Sequence, residues 1–297
     1  MKMIKFTLIA LLIGIVFAGC NTQQIQVKTP QKIESQNKNI SILALGENKI
    51  HTFHSISNSH IIETPNKLIL IDAQINFILA KQVKSYIEGL NKPLDRVILS
   101  HAHPDHWFGA EIFKGVKITT TKNIVKDINK DGKGYINRLK KMMPGIIPTQ
   151  IIKSQSDVVL GAQSWDGLDV IVEEYQEQEA HNSIVVKIPE YGVLIGQDLF
   201  YKDTHLVASS QSGNSNWINI LESFDKNEAK NYQTILVGHG KNSGTEVFSE
   251  DIEYLNKLDT LIQSNLTQEK AKKALLEIYP KHEQKFFVDI TVSRLFK

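Results

Sequence analysis

Residues 100–109 read SHAHPDHWFG. Three histidines and an aspartate, His101, His103, Asp105 and His106, fall within six positions of a chain that holds ten histidines in 297 residues. The short run RVILS (96–100) reads as a strand that delivers the chain to this cluster. If the segment leaves that strand extended, His101 and His103 point to one side, because side chains alternate with period two. They can then hold one ion together. Pro104 fixes the turn that follows. Asp105 and His106 stand where a helix can begin, and Asp105 can face a second ion. Imidazole and carboxylate are the ligands zinc takes where no thiolate is available, and the single cysteine of the chain, Cys20, lies far away.

A two-metal site needs further ligands, and they stand beside apolar, strand-like runs. VLIGQDLF places Asp198 after one such run, and ILVGHGKN places His239 in the same context. YQEQEAHNSIVV supplies Glu179 and His181 just before another. Around them the chain alternates strand-like and helix-like stretches, which predicts an α/β class with a largely buried sheet. ISILALG and KIHTFHSI read as strands, and NSHIIETPNKLILIDA as a hairpin turning at Pro65-Asn66. NFILAKQVKSYIEGL has apolar residues at helical spacing. GVKITTT reads as a strand, and KNIVKDINKDGKGYINRLKKMM as a helix with a glycine-rich break, stopped by Pro144 and Pro148. QSDVVLGAQSWDGLDVIVEEY suggests paired strands, and NSIVVKIPEYGVLIGQDLF a hairpin turning at 189–192. NWINILESFDK reads as a helix, and YQTILVGHG as a strand ending in a histidine loop. From Ser249 onward the chain reads as helical, with Ser249 and Thr267 as N-caps.

HAHPDH resembles the HxHxDH signature of the metallo-β-lactamase superfamily. In that family an aspartate about ninety residues downstream bridges two metals and a later Gly-His completes the site. Asp198 and His239 match those positions in order and context. Asp72, after the buried run LILID, matches an acidic residue that supports the family's metal site from behind. The resemblance covers roughly residues 40–248. It implies an αββα sandwich, two mixed sheets face to face with helices outside, and about two zinc ions at one edge. C-terminal helices would cap or extend this domain. The third ligand of the first metal stays open between Glu179 and His181. Register with the family's hairpin favours Glu179, and the commoner chemistry favours His181. His205 is a candidate pocket residue. His51, His54, His60 and His282 read as surface or packing residues, Trp107 as core or pocket wall, and Trp217 as helix core.

The N-terminus carries a different signal. Two lysines within Met1–Lys5 precede the apolar run FTLIALLIGIVFA, shorter than the ~20 residues of a membrane span. FAGC, ending at Cys20, resembles a bacterial lipobox, with Phe17 in place of the usual leucine. The expectation is a lipoprotein signal over 1–19, lipidation at Cys20 and a polar tether over 20–39. A metallo-β-lactamase-like domain over 40–248 and a helical extension over 249–297 follow. With Asn21 after the cysteine, the resemblance implies an outer-membrane anchor facing the periplasm in a Gram-negative cell. Net charge is +2, which makes no case for nucleic acid as a partner; a small-molecule substrate is expected.

The expected function is zinc-dependent hydrolysis, with zinc lowering the pKa of bound water to about 7. Asp105 would orient the nucleophile and shuttle its proton. A β-lactam, a lactone, a thioester or another ester would be the substrate. Two alternatives stand beside it. One is a zinc-binding periplasmic accessory protein that does not turn over. The other is an iron-dependent oxidoreductase on the same fold, whose members tend to carry a Glu where this chain has His103.

Overall fold

The structure is a computed structural model and describes residues 27–296. The apolar N-terminal run and Cys20 lie outside the described residues. Seven strands form a first sheet in sequential order. They are β1 (Gln31–Ile33), β2 (Ile40–Leu45), β3 (Asn48–Phe53), β4 (Ser59–Glu63), β5 (Leu68–Ile71), β6 (Leu94–Ile98) and β7 (Lys117–Thr119). The first five pair antiparallel, and β5, β6 and β7 run parallel. Three helices belong to this half: α1 (Phe77–Gly89), α2 (Pro104–Trp107) and α3 (Lys122–Leu139).

A second sheet holds β8 (Gly161–Trp165), β9 (Leu168–Gln176), β10 (Asn182–Ile188), β11 (Val193–Lys202) and β12 (Thr234–Gly240), in the order β12-β11-β10-β9-β8. Four helices complete the chain: α4 (Gln211–Ser223), α5 (Glu246–Gln263), α6 (Gln268–Ile278) and α7 (Phe286–Leu295). Among the described residues no helix is long and apolar enough to cross a membrane.

Period-two alternation decides which side each residue of the second sheet serves. Ile184, Val186 and Ile188 of β10, and Val193 and Ile195 of β11, pack with the first sheet, α1 and α3. Val185, Leu194, Ile235 and Val237 pack the other way, against Trp217 of α4, Leu255 of α5, Leu275 of α6 and Val288 of α7. The result is the expected α/β architecture, an αββα sandwich with helices on both outer faces and extra helices at the C-terminus.

Local expectations differ from the structure in four places. Gln31–Ile33, in the expected tether, pairs with β2 as an exposed edge strand. The glycine-rich stretch does not break α3, which runs unbroken through Gly132 and Gly134. Gly132 sits where a Cβ would lie 3.1 Å from the Trp107 ring, so the missing side chain lets the helix approach the indole. Ser249 does not cap α5. That helix begins a turn earlier, and the Glu246 carboxylate accepts from Ser243 Oγ and Gly244 N instead. Asp198 lies inside β11, where the pairing with β12 slips on both sides of Gln197.

Candidate metal centre

Strand ends bring the signature together. β6 runs out at Ile98, and Ser100 and His101 pair with the start of β10 across the sandwich, through Ile184 N to Ser100 O and a bridge between His101 and Ser183. His103 stands at the start of α2 in extended conformation, with Pro104 next. The Trp107 indole N–H donates to Ala102 O at 3.0 Å and holds the turn down. Asp198 comes from β11 and His239 from β12. The two strands approach closely here, since a Cβ on Gly238 would fall 1.9 Å from Asp198 Oδ1. That contact explains the glycine before His239.

Two groups of ligating side chains share one carboxylate. The first is His101, His103, Glu179 and Asp198, and the second is Asp105, His106, Asp198 and His239. In the first, His103 Nδ1 lies 3.0 Å from Glu179 Oε2 and His101 Nε2 3.4 Å from Asp198 Oδ2. In the second, His106 Nε2 and His239 Nε2 each lie 3.1 Å from Asp198 Oδ2 and 3.5 Å from Asp105 Oδ2. Each group therefore offers two imidazoles, one carboxylate of its own and one shared carboxylate.

The opposite ring nitrogens are already engaged. His106 Nδ1–H donates to Asp72 Oδ2 at 2.7 Å, and His239 Nδ1–H donates to Ile56 O at 2.6 Å. His101 Nδ1 bonds Ser100 Oγ at 2.9 Å, and that hydroxyl donates to Asp72 Oδ2 at 2.6 Å. These bonds fix the tautomers and leave Nε2 of all three rings facing the shared carboxylate. Asp72 also ranks among the groups within reach of His101 and His106. Its oxygens are taken, however, by Ser100 N, Ser100 Oγ, His106 and Gln197 Nε2, so it holds the candidate ligands from behind. Asp72 and Gln197 hold left-handed backbone conformations, with φ of 63° and 48°, the kind of local strain that a surrounding structure must over-determine.

Those residues fit divalent cations. Asp198 Oδ1 is buried with no hydrogen-bond partner, and His101 Nε2, His106 Nε2 and Glu179 Oε2 meet only one another's charged groups inside the cluster, a costly condition unless something ligates them. Burial pulls the pKa of His106 down, yet the Asp198, Asp105 and Asp72 carboxylates outweigh it and hold the ring well above its ordinary value. His103 and His239 are raised against burial in the same way, by Glu179 and by Asp198 respectively. Burial pushes Asp198 up, and the His106, His239 and His101 rings more than offset it, keeping the carboxyl well below its usual range. Asp105 is also lowered, through His106 and His239.

The structure separates the two candidates for the third ligand. Glu179 is buried in the first group, while His181 is 54% exposed and sits 3.3 Å from Glu177. The expectation that both point the same way required an extended segment. Residues 177–180 instead form a tight turn, with Glu177 at φ 50° and bonds from Glu177 N to His181 O and from Gln178 N to Ala180 O. The Gln178 side chain accepts from Glu179 N and locks the turn. His205 is not among the ligand groups. It is buried against Tyr254, whose hydroxyl lies 3.0 Å from Nδ1, and burial with the neighbouring His282 lowers its pKa to about 4.

Several residues of the site carry no motif signal. Tyr201 stacks on His239 at 4.9 Å, with its hydroxyl 3.4 Å from Asp198 Oδ2. Phe287 of α7 stands edge-on to His239 at 4.9 Å. Tyr135 of α3 lies edge-on to His103 at 6.1 Å, with the Arg138 guanidinium 5.2 Å over its ring. Tyr201, three positions after Asp198, would face the opposite side of a regular strand, and the register slip between Gln197 and Tyr201 accompanies its return to the site.

The fold and this site define a protein of the metallo-β-lactamase superfamily type. The superfamily's model matches residues 53–239, more than half of the chain, and the chain belongs to that superfamily. Sequence comparison with curated proteins gives no match. Among solved structures, the metallo-β-lactamase FIM-1 from Pseudomonas aeruginosa, in a mono-zinc form, is 18% identical with a TM-score of 0.55, over 75% of this chain and 97% of that one. The inverting sec-alkylsulfatase Pisa1 from Pseudomonas sp. is 14% identical with a TM-score of 0.61, over 86% of this chain and 49% of that one. At these identities the likeness is one of fold.

Proposed function

We propose that the protein is a zinc-dependent hydrolase holding two ions per chain, acting on a β-lactam, a lactone, a thioester or another ester. The observation that carries this reading is Asp198, one buried carboxylate shared by two groups of matching composition. Three carboxylates and four neutral imidazoles place a charge of about −3 opposite two divalent ions, which is how buried charge becomes tolerable. Bound there, zinc would supply an acidic water and polarise the scissile carbonyl. The chain's own residues do the rest. Asp198 would hold the two positions together from below. Asp105, 14% exposed where its neighbours are nearly closed off, would accept a proton at Oδ2 and return it to the leaving group. Phe287 and Tyr201 would keep bulk water from the His239 side.

The test is elemental analysis of the purified protein, with nitrocefin, a thioester and a lactone assayed on the same sample. Two zincs and turnover of one substrate are expected, and Asp105→Asn should keep most of the first metal while losing turnover. Full activity in Asp105→Asn would sink the mechanism. We also propose export and lipid anchoring at Cys20, supported by FAGC following the apolar run. Cys20→Ala should release the protein from the membrane fraction.

A further inference from the structure

Behind the ligands a line of buried polar groups crosses the sandwich. His60 of β4 is fully buried between the sheets. Its Nδ1 lies 3.0 Å from Thr52 Oγ1 on the neighbouring strand, and its Nε2 lies 3.1 Å from Gln197 Oε1 on β11 of the other sheet. Gln197 Nε2 donates to Asp72 Oδ2 at 2.5 Å, and Asp72 accepts from His106 Nδ1. At the far end, Asn242 Nδ2 donates to Thr52 Oγ1 at 3.1 Å.

The inventory of donors permits one direction along this line. Gln197 must present its carbonyl oxygen to His60, because its amide nitrogen is spent on Asp72. His60 therefore carries its proton on Nε2 and accepts at Nδ1. An unprotonated Nδ1 can only accept, so the Thr52 hydroxyl donates to it while its oxygen accepts from Asn242 Nδ2. Burial holds the His60 pKa at about 4, so the ring is neutral and the arrangement keeps one tautomer at neutral pH.

We infer that His60 is a positioning residue for the metal centre. It orients the Gln197 amide, which fixes Asp72, which in turn fixes the ring of His106. The strain at Gln197 and Asp72 marks the same link. A line of fixed dipoles inside a low-dielectric core aligns its last member more strictly than a solvated carboxylate could. This inference rests on the metal-site reading above, and the experiment keeps the two apart.

The full chain is loaded with zinc, and its affinity is measured by competition with a chromophoric chelator. The cobalt-substituted absorption spectrum is recorded in parallel. If the wild type takes up no metal, the site reading itself has failed, and the positioning role falls with it. If it does, His60→Leu should weaken binding of one ion by up to roughly 10-fold, the low end of what losing a ligand's direct partner costs, and shift the cobalt bands. His60→Gln, which can still donate to Gln197, should restore most of both. Thr52→Val, close to isosteric, covers the case in which His60→Leu does not fold, and should weaken the same ion by a few-fold. Unchanged affinity and cobalt spectrum in the variants that fold, whatever their melting temperature, would overturn the inference and leave His60 as a packing residue.

Discussion

Glu179 and His181 stand two residues apart and face different surroundings, one buried among the candidate ligands and one in solvent. Glu179→Gln should therefore lose bound metal, and His181→Ala should keep the wild-type content within error, both read by elemental analysis. Equal content in the two variants would remove Glu179 from the ligand set. His60 yields a second prediction at this scale. Burial depresses its pKa from the ordinary 6.5 to about 4. Between those values the unfolded chain binds the extra proton, so this group's contribution to stability is intact above about pH 6.5 and lost on the way down to about 4. A shift of that size corresponds to about 3 kcal/mol. In urea unfolding of the metal-free protein, the stability of wild type relative to His60→Leu should fall by about that amount from pH 7 to 4. A pH-independent difference would mean that His60 is not buried in its neutral form.

Elements constrain the same residues in ways that single positions do not reveal. Helix α3 contains two glycines two positions apart, and only one has a packing reason. A Cβ at Gly134 meets nothing within 4 Å, whereas one at Gly132 would press on Trp107, which secures the turn carrying His103. Gly134→Ala should stabilise the protein by about 0.5–1 kcal/mol, the usual gain in a helix interior. Gly132→Ala should give no such gain, because the Trp107 contact opposes it. Chemical denaturation of the two variants side by side is the measurement, and an equal gain in both would show that the α3–Trp107 contact is loose. Strands β11 and β12 supply the complementary case. Their parallel pairing brings Asp198 and His239 together only because Gly238 has no side chain to block the approach.

At the scale of the whole molecule, the candidate centre lies where the two sheets meet at their strand ends, and the C-terminal helices close one side of it. Gln284 donates to Ile56 O, the carbonyl that also accepts from His239, and Phe287 packs on the His239 ring. The start of α7 and the residues just before it are thus part of the centre's wall. Phe287→Ala should cost about 3–5 kcal/mol, as for other buried phenylalanines, and should also weaken metal retention during dialysis. Normal retention in a destabilised variant would make α7 a cover with no hold on the ligands. The α/β alternation and the cluster at 101–106 were legible in the sequence, since periodicity and residue spacing are local properties. Asp198 and His239 were legible because strand-like runs led to them. The side on which Glu179 and His181 point was not, because a four-residue turn cancels the alternation that the reading relied on. Gln197, His60, Tyr201 and Phe287 carry no spacing signal, and their roles arise from contacts made across sheets and from the far end of the chain. Period-two and helical patterning were enough for the fold class, and the chemistry of imidazole and carboxylate for most of the candidate ligand set. Which carboxylate is shared, which tautomer each ring keeps and what stands behind Asp72 came from the folded arrangement alone, because they depend on distances between different strands and loops, with partners as far apart in sequence as His239 and Ile56 or Asp72 and Gln197.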